Sequence, residues 1–328
     1  MELKELIARE ATEINKVMHD DIRRLSSGLD PLLAEILEYG LFGGGKRVRP
    51  LLTVVSARLS GRDDRELYHL ACAFEYLHVA TLFHDDVIDH AESRRGKESV
   101  NKRYGSSGAI LAGDFLHAHS MAVIGRYVGS PGLEVFTDAT RGMVDGEFVQ
   151  LRNGGNFNQS EDDYFTVVTG KTALLIGAAC EIGAIFAGAD QQKQSALRAY
   201  GINLGCAFQI VDDLLDYLGD PRVTGKAVGN DLKEGKMTLP LIMALENAPA
   251  DGKNRLLTLL KDGGGSADTF PEVVSIIEKY DGFACARKKA EAMIGQALEP
   301  LRLFSGQEHE KSLSILKKLS AYVLNRDK

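Results

Sequence analysis

Apolar side chains recur at intervals of three and four through most of the chain, as at Leu70, Phe74, Leu77, Val87 and Ile88 with Thr81 in register, while strict alternation is scarce. A period near 3.6 residues gathers such positions on one face of a helix, so the pattern predicts an all-α fold. Clusters of glycine and proline at 40–50, 129–132, 153–160, 219–240 and 262–266 punctuate these segments. At the usual mean of about three turns per helix, roughly ten or more helices are expected. Ser160 followed by Asp163 reads as a helix N-cap, and the helix it opens carries Lys171. The stretch from Gly219 to Pro240 is long for a connection within a compact domain; with Lys226 and Lys236 in it, it reads as a lid or ligand-binding loop.

One segment, Thr172 to Ala189, is apolar apart from Glu181 and approaches the length of a membrane span. Its glycines and alanines suit close packing on other helices, so burial inside a bundle is the expectation. Composition agrees: 328 residues with 44% hydrophobic and 26% charged side chains can enclose a sizeable core. No Pro- or Ser-rich linker divides the chain, which predicts a single domain over residues 1–328.

A net charge of -7 argues against a nucleic-acid partner, which would call for a basic domain. Cys72, Cys180, Cys206 and Cys285 are far apart and form no C-x-x-C pair, which points away from a zinc site or disulfide framework and towards a reducing, cytoplasmic setting. Met1 to Glu10 alternates charge with leucine and lacks the apolar stretch of a signal peptide.

Two copies of D-D-x-x-D, Asp85-Asp86-Val87-Ile88-Asp89 and Asp212-Asp213-Leu214-Leu215-Asp216, each end an apolar helical pattern. The first and last aspartates of each share a helix face, where like charges cost about 0.2–0.5 kcal/mol unless a cation intervenes. A solvated acidic face is the bland alternative, and the apolar sequence around both copies speaks against it. Hard carboxylate oxygens with few histidines or thiols nearby suit Mg2+, which bridges protein carboxylates to phosphates, so the natural ligand is a diphosphate. Gly43-Gly44-Gly45-Lys46-Arg47-Val48-Arg49-Pro50 adds flexible backbone followed by cations, the pattern of a second anion site.

With these residues in order, the chain resembles the trans-isoprenyl diphosphate synthase family over nearly its whole length, in particular its long-chain, octaprenyl-type members. The resemblance rests on seven ordered motifs: Gly44 to Pro50, Leu82 to Asp89, Arg94-Arg95-Gly96-Lys97, Gly113-Asp114-Phe115-Leu116, Lys171-Thr172-Ala173, Phe208 to Asp216 and Asp231 to Pro240. It implies a helix bundle around a central active-site cavity and a homodimeric prenyltransferase. The implied reaction is magnesium-dependent, head-to-tail addition of isopentenyl diphosphate to an allylic diphosphate. By the same likeness Asp85, Asp89 and Asp212 hold the metal between facing helices and Asp216 completes the metal set, with Asp86, Asp213 and Asp216 acting through water or as supporting groups. Lys46, Arg49, His78 and Arg95 are implied to bind isopentenyl diphosphate. Arg94, Lys171, Thr172, Gln209, Lys226 and Lys236 are implied to contact the allylic partner, with Lys171 and Lys226 joining the aspartates as catalytic groups. Charge building on the departing diphosphate explains why metal and lysines gather there. His78 has a plainer alternative as a packed helix histidine.

In such an enzyme the growing tail runs beside the first aspartate helix, so Ala80, Thr81, Leu77 and Phe74 are the expected chain-length positions. Ala80 and Thr81 are small where short-chain members often place an aromatic, and the two-residue insertion of several short-chain bacterial members is missing. Both features favour a long product of the kind used for quinone side chains, whose release allows transient membrane contact. The alternatives are a short-chain farnesyl or geranylgeranyl diphosphate synthase, a terpene cyclase, which would need an Asn/Ser/Glu pattern at the second motif, and a noncatalytic prenyl-binding partner subunit, which would be expected to have lost aspartates or cations.

Overall fold

The computed structural model describes residues 3–326 apart from 156, 158, 159, 220–227, 264 and 267. Lys226 therefore lies outside the described residues. The fold is all-α, as the periodicity predicts. The exception among the described residues is a two-residue ladder between β1, Ser93–Arg94, and β2, Lys97–Glu98, in which Ser93 opposes Glu98 and Arg94 opposes Lys97. Arg95 and Gly96 turn the hairpin with φ of 53° and 77°. Two successive left-handed residues match the twist of paired strands, a local device that helical periodicity does not reveal.

The chain forms two compact units, each assembled from three separate stretches. The first comprises Met1–Asp138, Ala178–Arg198 and Phe304–Leu316. Its opening helices are α1, Leu3–Ser26, α2, Pro31–Leu41, α3, Val48–Leu59, and α4, Glu66–Ile88. Asp30 caps α2 by accepting from the Leu32 N–H at 2.9 Å, ahead of a proline in the first turn that has no N–H to leave unpaired. The α1 side chains Ile14, Met18 and Ile22, spaced by four, meet Leu37 and Leu41 of α2 and the Cys72, Tyr76, Val79, Ala80 and Phe83 face of α4. This cluster fixes α4, and thereby the direction in which its last turn presents the first aspartate motif.

The long α5, Val100–Asn153, contributes to both units. The run leaves helical geometry at Gly105, φ 80° and ψ 163°, and at Gly129, φ 70° and ψ -155°, so the glycine cluster at 129–132, which holds Pro131, interrupts the helix as the sequence predicts. In the second unit, made of Ala139–Gly177, Ala199–Leu303 and Lys317–Lys328, Ser160 forms a capping box with Asp163 and opens α6, Glu161–Val168. A π-turn, Thr169–Ala173, continues it into α7, Leu174–Phe186, so Lys171 stands on the wide turn rather than on a regular helix. Gly170 permits that turn to approach α5: a Cβ there would lie 2.7 Å from the Gly142 carbonyl oxygen. The continuous helix Glu161–Phe186 is long and apolar enough to cross a membrane, but 67% of its apolar window is buried inside the protein, which makes it core.

Then come α8, Gln191–Leu218, and the single-turn α9, Asn230–Lys233. A C-terminal group follows: α10, Leu239–Asn247, α11, Ala250–Lys261, α12, Phe270–Lys279, α13, Gly282–Leu298, and α14, Gln307–Leu324. Residues Leu239 to Leu245 of α10 are buried on every side.

Candidate active site

In the first unit, Asp85 and Asp86 occupy the last turn of α4 and Asp89 is its C-cap. Carboxylates at a helix C-terminus oppose the helix dipole and typically cost about 0.3–1 kcal/mol each, so this placement favours a bound cation. The three aspartates differ. Asp86 is buried and takes both Nε (2.7 Å) and Nη2 (2.6 Å) of Arg94 on one oxygen. Asp85 is half-buried and Asp89 exposed. Arg94, expected at the allylic diphosphate, is thus engaged with Asp86.

The basic loop lies in the same unit. Arg47 adopts a left-handed conformation, φ 50° and ψ 41°, at the N-cap of α3. Its guanidinium is buried, bonded to the Glu75 carboxylate, to Asn15 Oδ1 at 2.9 Å and to the Leu41 carbonyl at 2.8 Å. Arg95 donates to the Gly44 carbonyl. A Cβ on Gly45 would meet Nη1 of Arg95 at 3.2 Å and Nη1 of Arg47 at 3.3 Å, so the glycine lets the two cations crowd this loop. Arg49 keeps its Nε buried, with no hydrogen-bond partner among the described residues. Burial holds the Arg49 guanidinium below its ordinary value, Glu75 pulls it back up and Arg95 pushes it down. Burial and then the charges of Arg49, Arg95, Arg47 and Arg94 hold the His78 imidazole well below the usual histidine range, so the ring is neutral at pH 7. Such a cluster is short of negative charge and suits a diphosphate.

In the second unit, the last two turns of α8 carry Asp212, Asp213 and Asp216. Asp213 is buried and accepts from the Tyr164 hydroxyl at 2.6 Å and from Gln209 Nε2 at 2.9 Å. Burial, then the nearby Asp231 charge, pushes its carboxyl up to about 8 against the pull of those two bonds. Asp216 accepts from the backbone N–H groups of Asn230 at 3.2 Å and Asp231 at 3.1 Å, tying α8 to the start of α9. Asp212 is half-buried and pairs with Arg326 at 3.0 Å. Lys236 bridges to Asp231 at 3.3 Å and Glu234 at 2.5 Å. Lys171 pairs with Glu147 at 2.7 Å and reaches Gln150 at 3.4 Å, while Thr172 donates to Gln209 at 3.2 Å.

The geometry thus brings Lys46, Arg49, His78, Arg95, Asp85 and Asp89 into one unit and Lys171, Thr172, Gln209, Asp212, Asp216 and Lys236 into the other. Sequence reading missed Glu75, Glu147, Gln150, Tyr164 and Arg326, which touch Arg47, Lys171, Lys171, Asp213 and Asp212 respectively. Among the described residues no three acidic, histidine or cysteine side chains converge into an all-protein metal centre. The donor set of half-open carboxylates fits magnesium, which usually takes one or two of them together with phosphate oxygens and water.

On the tail side, Phe74, Thr81 and Asp85 share one stripe of α4 at intervals of seven and four. Phe74 is fully buried and meets Phe136 edge-on, ring centroids 5.6 Å apart. Ala80 sits instead in the core cluster with Tyr76, Val79 and Phe83.

Helices that end in aspartate-rich turns, beside clustered arginines and lysines, define an all-helical protein suited to metal-bound diphosphates. Residues 30–277 match the family described as Polyprenyl synthetase, and the chain belongs to that family. It is 34% identical over 308 residues to octaprenyl diphosphate synthase of Haemophilus influenzae, covering 94% of this chain and 93% of that one. It is also 34% identical over 323 residues to geranylgeranyl diphosphate synthase of Sulfolobus acidocaldarius, covering 96% and 97%. Polyprenyl synthase from Caulobacter crescentus CB15, solved with calcium and isoprenyl diphosphate, superposes with a TM-score of 0.88 at 32% identity, covering 99% of this chain and 97% of that one. The protein is a prenyltransferase, a trans-prenyl diphosphate synthase of a family that uses divalent metal and takes isopentenyl and allylic diphosphates as substrates.

Proposed function

We propose that the chain makes a long all-trans polyprenyl diphosphate, with magnesium as its metal. The observation that carries this is the small Thr81, one turn before Asp85 on the same stripe of α4, with Ala80 beside it. One helical turn rises about 5.4 Å, close to an isoprene unit, so an aromatic at this height would stop the tail early and these residues do not. Relatives at equal identity are named for long and for short products, so likeness alone does not choose. The Phe74–Phe136 pair favours a second reading, in which those rings form a floor about three turns below Asp85 and the product is short.

In this reading Asp85 and Asp89, and separately Asp212 with Asp216 behind it, hold magnesium diphosphate. The metal, when bound, neutralises charge on the departing diphosphate. Lys171, Lys236 and Lys226 add positive charge for the allylic diphosphate, with Thr172 and Gln209 orienting it and Arg94 holding Asp86. Lys46, Arg49, Arg95 and the neutral His78 bind isopentenyl diphosphate. The released diphosphate accepts the final proton, so no histidine base is required.

The protein acts in the cytoplasm as one catalytic domain and a homodimer. Its four cysteines are free thiols, and exposed apolar residues on α5, Leu111, Phe148 and Leu151, suit contact with a second copy. Release of a water-insoluble product brings transient membrane contact. The test is incubation with magnesium, farnesyl diphosphate and labelled isopentenyl diphosphate, followed by separation of the dephosphorylated products by length. A single long polyprenol supports the proposal. A product of about twenty carbons or fewer selects the Phe74–Phe136 floor, and no product at all points to a noncatalytic subunit.

A further inference from the structure

We propose that Glu75 is a positioning residue of the isopentenyl diphosphate site: one buried carboxylate, bonded to Arg47 and facing Arg49 and Arg95, that holds the three guanidinium groups in register for an anion. This rests on the synthase reading above. Glu75 lies on α4 one turn before His78 and is 3% exposed; it pairs with Arg47, and its charge acts on Arg49 and Arg95. Arg94 is already neutralised by Asp86. Glu75 is then the carboxylate that acts on both Arg49 and Arg95, raising each against its burial and against the neighbouring cations.

Arg47 explains how the carboxylate exerts that hold. A non-glycine residue with φ near 50° is uncommon and must be held by its surroundings. Here its side chain is tied at three points, Glu75, Asn15 and the Leu41 carbonyl, to α4, α1 and α2. The left-handed turn at Arg47 sets where α3 begins, and Arg49 stands in its first turn. Gly45 brings Arg95 and Arg47 against the same loop. The buried Nε of Arg49, which has no hydrogen-bond partner among the described residues, is the donor this scaffold leaves for a ligand. Arg47 itself has no role at the substrate in this scheme, because its donors are spent on the fold.

The experiment compares wild type, Glu75→Gln, Glu75→Asp and the double variant Arg47→Met/Glu75→Met. The readouts are KM for each substrate, kcat, melting temperature and calorimetric affinity for inorganic pyrophosphate. Expected for Glu75→Gln is a KM for isopentenyl diphosphate raised about tenfold or more, with kcat and the allylic KM changed less than about threefold. Glu75→Asp recovers part of the loss. The double variant removes the buried pair together and so avoids an unpaired charge in the core; it should melt near wild type yet keep the raised KM and weakened pyrophosphate binding. A double variant with both normal stability and normal KM would overturn the proposal, as would Glu75→Gln raising both substrate KM values alike. If wild type itself shows no turnover, the synthase reading fails by itself, and pyrophosphate affinity across the same variants still decides the role of Glu75.

Discussion

Arg326 donates from Nη2 to Asp212 Oδ1 at 3.0 Å, and its guanidinium lies over the Phe208 ring, 4.5 Å from the centroid. Phe208 and Asp212 are one turn apart on α8, so a single arginine just past the end of α14 grips both. Under the proposed function Arg326 and magnesium draw on the same carboxylate. Asp212 is 45% exposed, which screens the pair and keeps its worth modest. Arg326→Ala should lower the half-saturating magnesium concentration roughly two- to fivefold. A magnesium titration of turnover checks this; a raised requirement would mean that Arg326 steadies Asp212 for the metal instead.

Asp85→Asn keeps the shape of the side chain and removes a carboxylate from the C-terminal turn of α4. Turnover should fall by about a hundredfold or more, since the charge on the leaving diphosphate loses its metal-bound counterweight. Stability should hold or rise by a few tenths of a kcal/mol, roughly the cost of an acid against the helix dipole. Melting by circular dichroism, run beside label incorporation with and without a chelator, separates the two effects.

Thr81 and Ala80 are neighbours in sequence with different surroundings. Thr81 is half-buried on the Asp85 stripe and donates to the His78 carbonyl at 2.8 Å, whereas Ala80 is 1% exposed inside the α1–α2–α4 cluster. Thr81→Phe should shorten the product while the protein stays folded. Ala80→Phe should also shorten it, but by overpacking a closed core should cost about 1–3 kcal/mol. Phe74→Ala, by opening the contact with Phe136, should lengthen it. Product chromatography with parallel melting curves decides, and equal stability of the two phenylalanine variants would refute the difference in packing.

Sequence alone conveyed the helices and both aspartate motifs because each is local: a 3.6-residue period and a four-residue spacing are properties of one segment. The capping box at Ser160 was legible for the same reason. Glu75 was not, since its partner Arg47 is 28 residues away and nothing in an apolar α4 pattern singles out one buried acid. Arg326 meets Asp212 across 114 residues and was equally hidden. The resemblance had set Asp86 apart from Asp85 and Asp89, but its bond to Arg94 was hidden, because it depends on a hairpin whose two-residue turn carries no periodicity. The interruption at Gly129 was legible too, because a glycine close to Pro131 marks a local break.

His78 is held well below the usual histidine range by burial and then by Arg49, Arg95, Arg47 and Arg94. In the unfolded chain its imidazole titrates near its ordinary value of about 6.5, so the unfolded state takes up a proton that the folded state refuses. The contribution to stability is complete above that value and is lost as the pH falls below it. His78→Gln, which keeps a neutral hydrogen-bonding side chain, should flatten this part of the stability profile between about pH 7 and 5. Turnover at neutral pH should stay within about tenfold of wild type, because a neutral ring offers the diphosphate a hydrogen bond and not a charge. His78→Lys places a further cation among the arginines and should lower the melting temperature unless pyrophosphate is added. Stability measured across the acid range for wild type and His78→Gln, and melting of His78→Lys with and without pyrophosphate, tests both halves: identical profiles for the first pair would show that His78 is not the group that titrates.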